Sequence, residues 1–160
     1  MAHAAVPHRL GPRISFIEVQ EPSDHIVIPE ASGDDEGATT GLGRDLAVEV
    51  IDYTTDDKAE TLARALQRPC VVRASHGSRK VRLFHDDGLR ALEVTDEIEV
   101  SDGRFSIAVV ASGEGCLEGD FGSQPIRRGE TFALPASMPF RVRAGREPVR
   151  VIRCLGPAAE

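Results

Sequence analysis

The sequence predicts a mostly β fold, an antiparallel β sandwich of the jelly-roll type joined to a short helical connector. From residue 70 onward, short runs rich in Val, Ile, Leu and Phe alternate with turn residues at a spacing of roughly 8–12 residues, which is typical of such sandwiches. The dipeptides Asp87-Gly88 and Asp102-Gly103 supply the positive φ values that tight hairpins require. With six Phe, one Tyr and no Trp, the core is expected to consist mainly of aliphatic side chains.

The first third of the chain contains two β-rich runs. Residues 14–20 and residues 25–28 are predicted strands, and the polar stretch 30–43, rich in Gly, Asp, Glu and Thr, is a predicted loop. Residues 45–51 are apolar and fit either a strand or a helix.

One helix is predicted at residues 55–68, with Thr55 as its N-cap and Pro69 preventing its continuation. Acidic residues near its start favour the positive end of the helix dipole, and an apolar stripe follows them. These residues are Asp56, Asp57, Glu60, Leu62, Ala65 and Leu66.

The remaining strands follow in close succession. They are predicted at residues 71–73, 81–84, 92–94, 105–110, 115–119, 131–134, 140–143 and 149–153. A further turn is predicted at His76-Gly77, between the first two of these strands.

Composition narrows the class of protein. The net charge of −7 argues against a nucleic-acid partner, because binding to phosphates needs an excess of Lys and Arg. The three cysteines are odd in number and far apart, which indicates a reducing compartment without a disulfide framework. The apolar runs fall far short of the ~20 residues that span a bilayer, and the N-terminus has no continuous apolar segment typical of a signal peptide. We therefore expect a cytoplasmic protein with no membrane partner.

The string from Gly129 to Ala136, a glycine turn, a short strand and a Pro-Ala break, resembles the second sequence motif of the cupins. In that motif a second Gly and a metal-binding His follow the proline; here Ser137 and Phe140 stand in their places. The first cupin motif has a His-x-His strand where this chain has residues 107–110, Ile-Ala-Val-Val. The resemblance implies a cupin-type jelly roll whose interior is packed and holds no metal.

A wider resemblance covers nearly the whole chain. Residues 6–11 (VPHRLG) and 17–24 (IEVQEPSD) resemble a segment of type I mannose-6-phosphate isomerases, and GLGRD at 41–45, the cupin turn and the final strand follow in that family's order. The resemblance implies three parts: final strands of a catalytic cupin at 1–54, a helical connector at 55–69 and a second, metal-free cupin at 70–160.

The family resemblance implies a zinc-dependent aldose–ketose isomerase that interconverts mannose 6-phosphate and fructose 6-phosphate, with the metal polarising the sugar oxygens while a base moves the proton. By its place in the motif, His8 corresponds to a zinc ligand, and Glu18 and Asp24 match acidic positions near the active centre. Alternatives remain open: His8 as an exposed terminal residue, Glu18 on a solvated strand face, and Asp24 as a turn cap. The basic group at residues 73–82 could attract a sugar phosphate or protect a strand edge from pairing.

The family's remaining zinc ligands, a Gln, a His and a Glu, lie in a half that this sequence does not contain. The resemblance therefore predicts a fragment or shortened member of the family with an incomplete zinc site. The alternatives are a non-catalytic sugar-binding cupin module, one half of a split enzyme that pairs with a separate N-terminal half, and a free-standing cupin isomerase without the usual metal set. The expected partners are a sugar phosphate and either that half or a second copy, recruited through the strands at 14–28.

Overall fold

The computed structural model describes residue 17 and residues 44–49, 57–66, 68–83 and 88–156. The chain divides into two compact units, Met1–Leu66 and Gln67–Glu160, and each is described by itself. The three-part division expected from the family resemblance stays a prediction. Of the predicted strands in the first unit, only Ile17 is described, in irregular backbone with an exposed side chain.

The first unit contains two described helices, α1 at Arg44–Glu49 and α2 at Lys58–Ala65. The stretch that fits either a strand or a helix is therefore helical at its start. The N-cap of α2 is Asp57, so the prediction of Thr55 was wrong. Asp57 accepts a hydrogen bond from the Glu60 N–H at 2.8 Å, and Glu60 accepts one from the Asp57 N–H at 3.4 Å. This reciprocal capping box satisfies two backbone donors at once, which favours the later start.

The described part of the second unit consists of ten strands. They are β1 Cys70–Ser75, β2 Ser78–Arg82, β3 Leu89–Val94, β4 Glu97–Val100, β5 Ser106–Ser112, β6 Glu114–Gly119, β7 Gly122–Arg127, β8 Thr131–Leu134, β9 Phe140–Ala144 and β10 Val149–Leu155. They form a six-stranded sheet in the order β1-β2-β3-β10-β5-β8 and a four-stranded sheet in the order β4-β9-β6-β7, and every pairing is antiparallel. The predicted antiparallel β sandwich is confirmed.

The first hairpin shows how local sequence sets strand register. Ser75 pairs with Ser78, and the two residues between them, His76 and Gly77, both have positive φ, 46° and 78°. Two successive positive φ values characterise the type I′ turn, whose twist matches that of the flanking strands. The predicted turn at His76-Gly77 is confirmed.

Strands β4 and β7 are absent from the sequence-based prediction. β7 contains Gly122 and Pro125, two residues that weaken a strand pattern. Among the described strands it lies at the edge of the four-stranded sheet and pairs only with β6. Pro125 is tolerated there because an edge strand has one side on which no ladder hydrogen bond is needed.

The core between the two sheets is almost entirely aliphatic. Alternate residues of β10 and β9 point inward, as the burial of Val149, Val151, Phe140 and Val142 shows. The full cluster consists of Leu92, Val94, Ile98, Val100, Ala108, Val110, Leu117, Ile126, Leu134, Phe140, Val142, Val149 and Val151.

The outer faces of the two sheets differ in character. Val81, Ala91 and Ile152 pair side by side on the outer face of the six-stranded sheet and form a second buried apolar cluster. The outer face of the four-stranded sheet instead carries charged cross-strand neighbours such as Glu99 and Arg141. This face follows the usual pattern of an antiparallel sheet with one solvated side.

Candidate functional site

The interior of the sandwich is where the cupin motifs would place metal ligands. Ala108 and Val110 occupy the strand of the first motif, and Phe140 occupies the position of the histidine in the second. All three side chains are buried and line the same central cavity. The positions that resemble the two motifs therefore face the same interior and carry apolar side chains.

The central cavity is too small for a ligand. Its volume is about 10 Å³, and apolar side chains from both sheets line it. A single water molecule needs about 10–15 Å³ together with polar partners. Among the described residues no group of three or more His, Cys, Asp or Glu side chains converges. The described interior therefore offers no donor set for a metal such as zinc, which needs N, O or S donors. The zinc site that the family resemblance implies involves His8, which lies outside the described residues, so that site stays a prediction.

One end of this interior is polar. Arg153 has no exposed surface, and its guanidinium donates from Nη1 to Asp102 Oδ2 at 2.8 Å and from Nη2 to Asp102 Oδ1 at 3.2 Å. Its Nε donates to Ser106 Oγ at 3.1 Å, and its Cζ lies 5.2 Å from the centroid of the Phe140 ring. Every nitrogen of this buried cation therefore has an acceptor, and the aromatic ring adds a cation–π contact.

Two further cations face the same carboxylate. Lys80 Nζ lies 2.6 Å and Arg90 Nη1 lies 3.5 Å from Asp102 Oδ2. Burial by itself raises the pKa of Asp102, but hydrogen bonds from Arg153 and Lys80 outweigh it and hold that pKa well below its usual range. Burial lowers the pKa of Lys80, an effect that the bond to Asp102 opposes. We call Lys80, Arg90, Asp102 and Arg153 the ion cluster.

Strand register brings the ion cluster together. Arg90 pairs with Arg153, which pairs with Ala108, so the arginines share the inward face with a core residue. Lys80 lies one inward row further along, opposite Leu92. Asp102 comes from the irregular connection between β4 and β5, where Gly103 has a φ of 66°. The predicted hairpin turn at Asp102-Gly103 was wrong, because β4 and β5 belong to different sheets and the chain crosses between them here. This crossing instead brings Asp102 to three cations as their counter-ion.

Sequence reasoning placed Arg153 in a strand but not in a site. The sequence did contain a signal for this site. Val149, Val151 and Arg153 are spaced two residues apart in one strand, so the arginine shares a face with two core residues. A buried arginine requires a paired acceptor. The ion cluster has no open nucleophile, and its carboxylate is fully engaged, so its chemistry is that of a structural network.

The predicted site residues lie outside the described residues. This holds for His8, predicted as a metal ligand, and for Glu18 and Asp24, predicted as catalytic residues. Their roles stay predictions.

The predicted basic group does not form one patch. Lys80 points into the sandwich and binds Asp102, whereas its neighbour Arg79 lies on the outer face beside Glu93. Arg73 lies in β1, which is an edge strand among those described. Strand alternation separates residues that are adjacent in sequence.

No protein-family model and no curated protein matches this sequence. Solved structures with similar folds include a cupin barrel and a sugar-phosphate isomerase. A Cupin 2 conserved barrel domain protein from Salinispora arenicola is 15% identical with a TM-score of 0.45, and the match covers 68% of this chain and 90% of that one. The mannose 6-phosphate isomerase from Bacillus subtilis is 18% identical with a TM-score of 0.54, covering 75% of this chain and 36% of that one.

At these identities the likeness establishes the fold alone. The described residues 70–155 form a jelly-roll β sandwich, as the sequence predicted, and share their fold with the matched part of the Bacillus enzyme. The match spans little more than a third of the Bacillus enzyme. Within the described ranges, no helix is long and apolar enough to cross a bilayer.

Proposed function

We propose that the chain is a mannose-6-phosphate isomerase-like protein in which the described sandwich is a second, non-catalytic cupin. The observation that carries this proposal is the packing of Ala108, Val110 and Phe140 into the place of the cupin metal site, around a cavity of about 10 Å³. A sugar phosphate cannot enter such a core, so the sandwich contributes structure and any isomerisation belongs elsewhere in the protein.

Two further points support the isomerase-like assignment. The ordered motifs along the chain resemble the type I mannose-6-phosphate isomerases, and the fold is similar to that of the Bacillus subtilis enzyme over 36% of its length. In this proposal His8 is a zinc ligand and Glu18 and Asp24 act on the sugar phosphate in the cytoplasm. The family's other zinc ligands, a Gln, a His and a Glu, lie outside these 160 residues.

The test measures zinc binding and turnover by the intact purified chain. We expect weak zinc binding that is lost in His8→Ala and retained in His76→Ala, which removes a histidine of the sandwich. We also expect turnover of mannose 6-phosphate below ~1 s⁻¹, the low end of typical enzymes, with or without added zinc. The readouts are metal content after dialysis and a coupled assay of fructose 6-phosphate.

Two results would overturn the proposal. Zinc binding that depends on His76 and not on His8 would place the metal in the sandwich. Turnover by the chain alone above ~1 s⁻¹ would instead make it a free-standing cupin isomerase.

A further inference from the structure

A cleft of about 260 Å³ opens at the end of the six-stranded sheet, beside the β1–β2 turn and the start of β10. We call it the arginine cleft. Its lining residues are Gly77, Arg79, Glu93, Val94, Thr95, Ser112, Pro148, Val149 and Arg150. The volume is just below the ~300–1,000 Å³ of pockets for drug-sized ligands, which suits a small anion.

The register of three neighbouring strands places one arginine on each side of a single glutamate. Arg79 of β2 pairs with Glu93 of β3, and Glu93 pairs with Arg150 of β10. Each of these three residues lies two positions along its strand from Val81, Ala91 or Ile152. Residues two apart in a strand share a face, so all three lie on the outer face of the sheet. The two arginines of the cleft therefore face away from the ion cluster, while Val94 and Val149 at the edge of the core form part of the cleft wall.

The charges of the arginine cleft do not cancel. Arg79 Nη2 lies 2.5 Å and Arg150 Nε lies 3.9 Å from the Glu93 carboxylate, which leaves two positive charges against one negative charge. The two arginine side chains are 55% and 47% exposed. Among the described residues, the terminal nitrogens of Arg150 and the remaining nitrogens of Arg79 have no hydrogen-bond acceptor.

We propose that the arginine cleft binds the phosphate group of a small phosphorylated molecule. A guanidinium offers paired N–H donors that match two phosphate oxygens, so the free edges of Arg79 and Arg150 can hold one phosphate from two sides. The hydroxyl groups of Thr95 and Ser112, which also line the cleft, are further hydrogen-bond donors. The proposal goes beyond the proposed function and does not depend on it, because it involves neither His8 nor zinc.

The opposite sheet supplies a matched control. Arg141 lies on the outer face of the four-stranded sheet, is 45% exposed and pairs with Glu97 at 3.4 Å. It resembles Arg79 and Arg150 in exposure and in having a carboxylate partner, and it does not line the cleft. Removing its charge changes the net charge of the protein by the same amount.

The experiment titrates the intact chain with inorganic phosphate, mannose 6-phosphate and mannose, followed by isothermal calorimetry and by NMR. We expect both phosphates to bind and mannose not to bind. Arg79→Gln and Arg150→Gln should each weaken phosphate binding by about tenfold or more, because each removes a charge-assisted hydrogen bond. Arg141→Gln should leave the affinity unchanged. Circular dichroism on each variant verifies folding.

The remaining outcomes are equally informative. Tighter binding of mannose 6-phosphate than of inorganic phosphate supports a sugar phosphate as the ligand, and equal binding supports free phosphate. No binding of either phosphate to the unmodified chain overturns the proposal, as does an equal loss in Arg141→Gln. Neither result alters the zinc test, so failure of this proposal and failure of the proposed function are distinguishable.

Discussion

Arg153 and Asp102 lie 51 positions apart in the chain and form a two-point ion pair at the polar end of the sandwich interior. Arg153 is fully buried, whereas the Asp102 side chain retains 18% exposure. Asp102 lies in the connection that follows β4 of the four-stranded sheet, and Arg153 is the third residue from the end of β10 in the six-stranded sheet. The pair therefore links the two sheets at a point where the aliphatic core ends.

Replacing Asp102 by Ala should strongly destabilise the sandwich. The change leaves the buried Arg153 without its carboxylate, and loss of one partner of a buried pair costs about 3–5 kcal/mol. The partial exposure of Asp102 favours the lower end of this range. Urea unfolding measures the change. The control, Glu97→Gln, removes one partner of an exposed pair with Arg141 and should cost at most about 1 kcal/mol. Equal losses for the two variants would contradict the structural role.

Replacing both partners of the pair should be less harmful than the single changes imply. Arg153→Met removes the buried charge that Asp102→Ala leaves without its carboxylate, and a methionine can fill the apolar space beside Phe140. We expect the double variant to be at least about 1 kcal/mol more stable than the sum of the two single effects predicts. A double-mutant cycle in urea measures this coupling. Simple additivity would show that the two residues act independently.

The contribution of Asp102 should disappear in acid. Its pKa in the folded protein is well below the ordinary value of 3.8, so the folded state favours the carboxylate form. A lowered folded-state pKa gives stability that is fully present above the unfolded-state pKa and is lost as the pH falls toward the folded-state pKa. The stability difference between the natural chain and Asp102→Asn should therefore be constant above about pH 5 and shrink below about pH 4. A difference that is independent of pH would contradict this assignment.

Phe140→Ala should show that Phe140, which stands where the cupin motif has a histidine, is part of the core. Phe140 is buried between the sheets and contacts the Arg153 guanidinium. Removing a buried Phe costs about 3–5 kcal/mol through lost burial and the cavity left behind. Phe121→Ala, at the exposed β6–β7 turn, is the control, and its cost should be below about 1 kcal/mol because little surface is lost from the core. Thermal and urea unfolding compare the two variants.

Deleting residues 1–30 should leave the sandwich folded. The main core is built from residues between Leu92 and Val151, none of which is removed. If residues 14–28 are strands of a cupin whose other strands are missing, as the family resemblance implies, their unpaired backbone groups would favour pairing with another copy. We therefore expect the deletion to abolish self-association in sedimentation experiments while circular dichroism stays β-rich. Unfolding of the truncated chain would mean that the deleted residues share its core.

The β sandwich was predictable because its signals are local. Alternating apolar residues in β9 and β10 mark one buried face, and the turn at His76-Gly77 requires a positive φ value that glycine adopts freely. Local sequence also predicted the glycine turn before β8 and the strand that begins at Phe140. Strand β7 was missed, because Pro125 and its glycine are acceptable only at a sheet edge, and edge position is a property of the assembled sheet.

The sequence by itself determined the fold class and the aliphatic character of the core, since strand periodicity and turn chemistry act over a few residues. Only the tertiary structure decided which charges meet. Arg79 and Lys80 are adjacent in sequence, but one lies beside Glu93 on the outer face and the other binds Asp102 in the interior. The reason is that strand register sets cross-strand neighbours, and a shift of one residue would exchange the two faces.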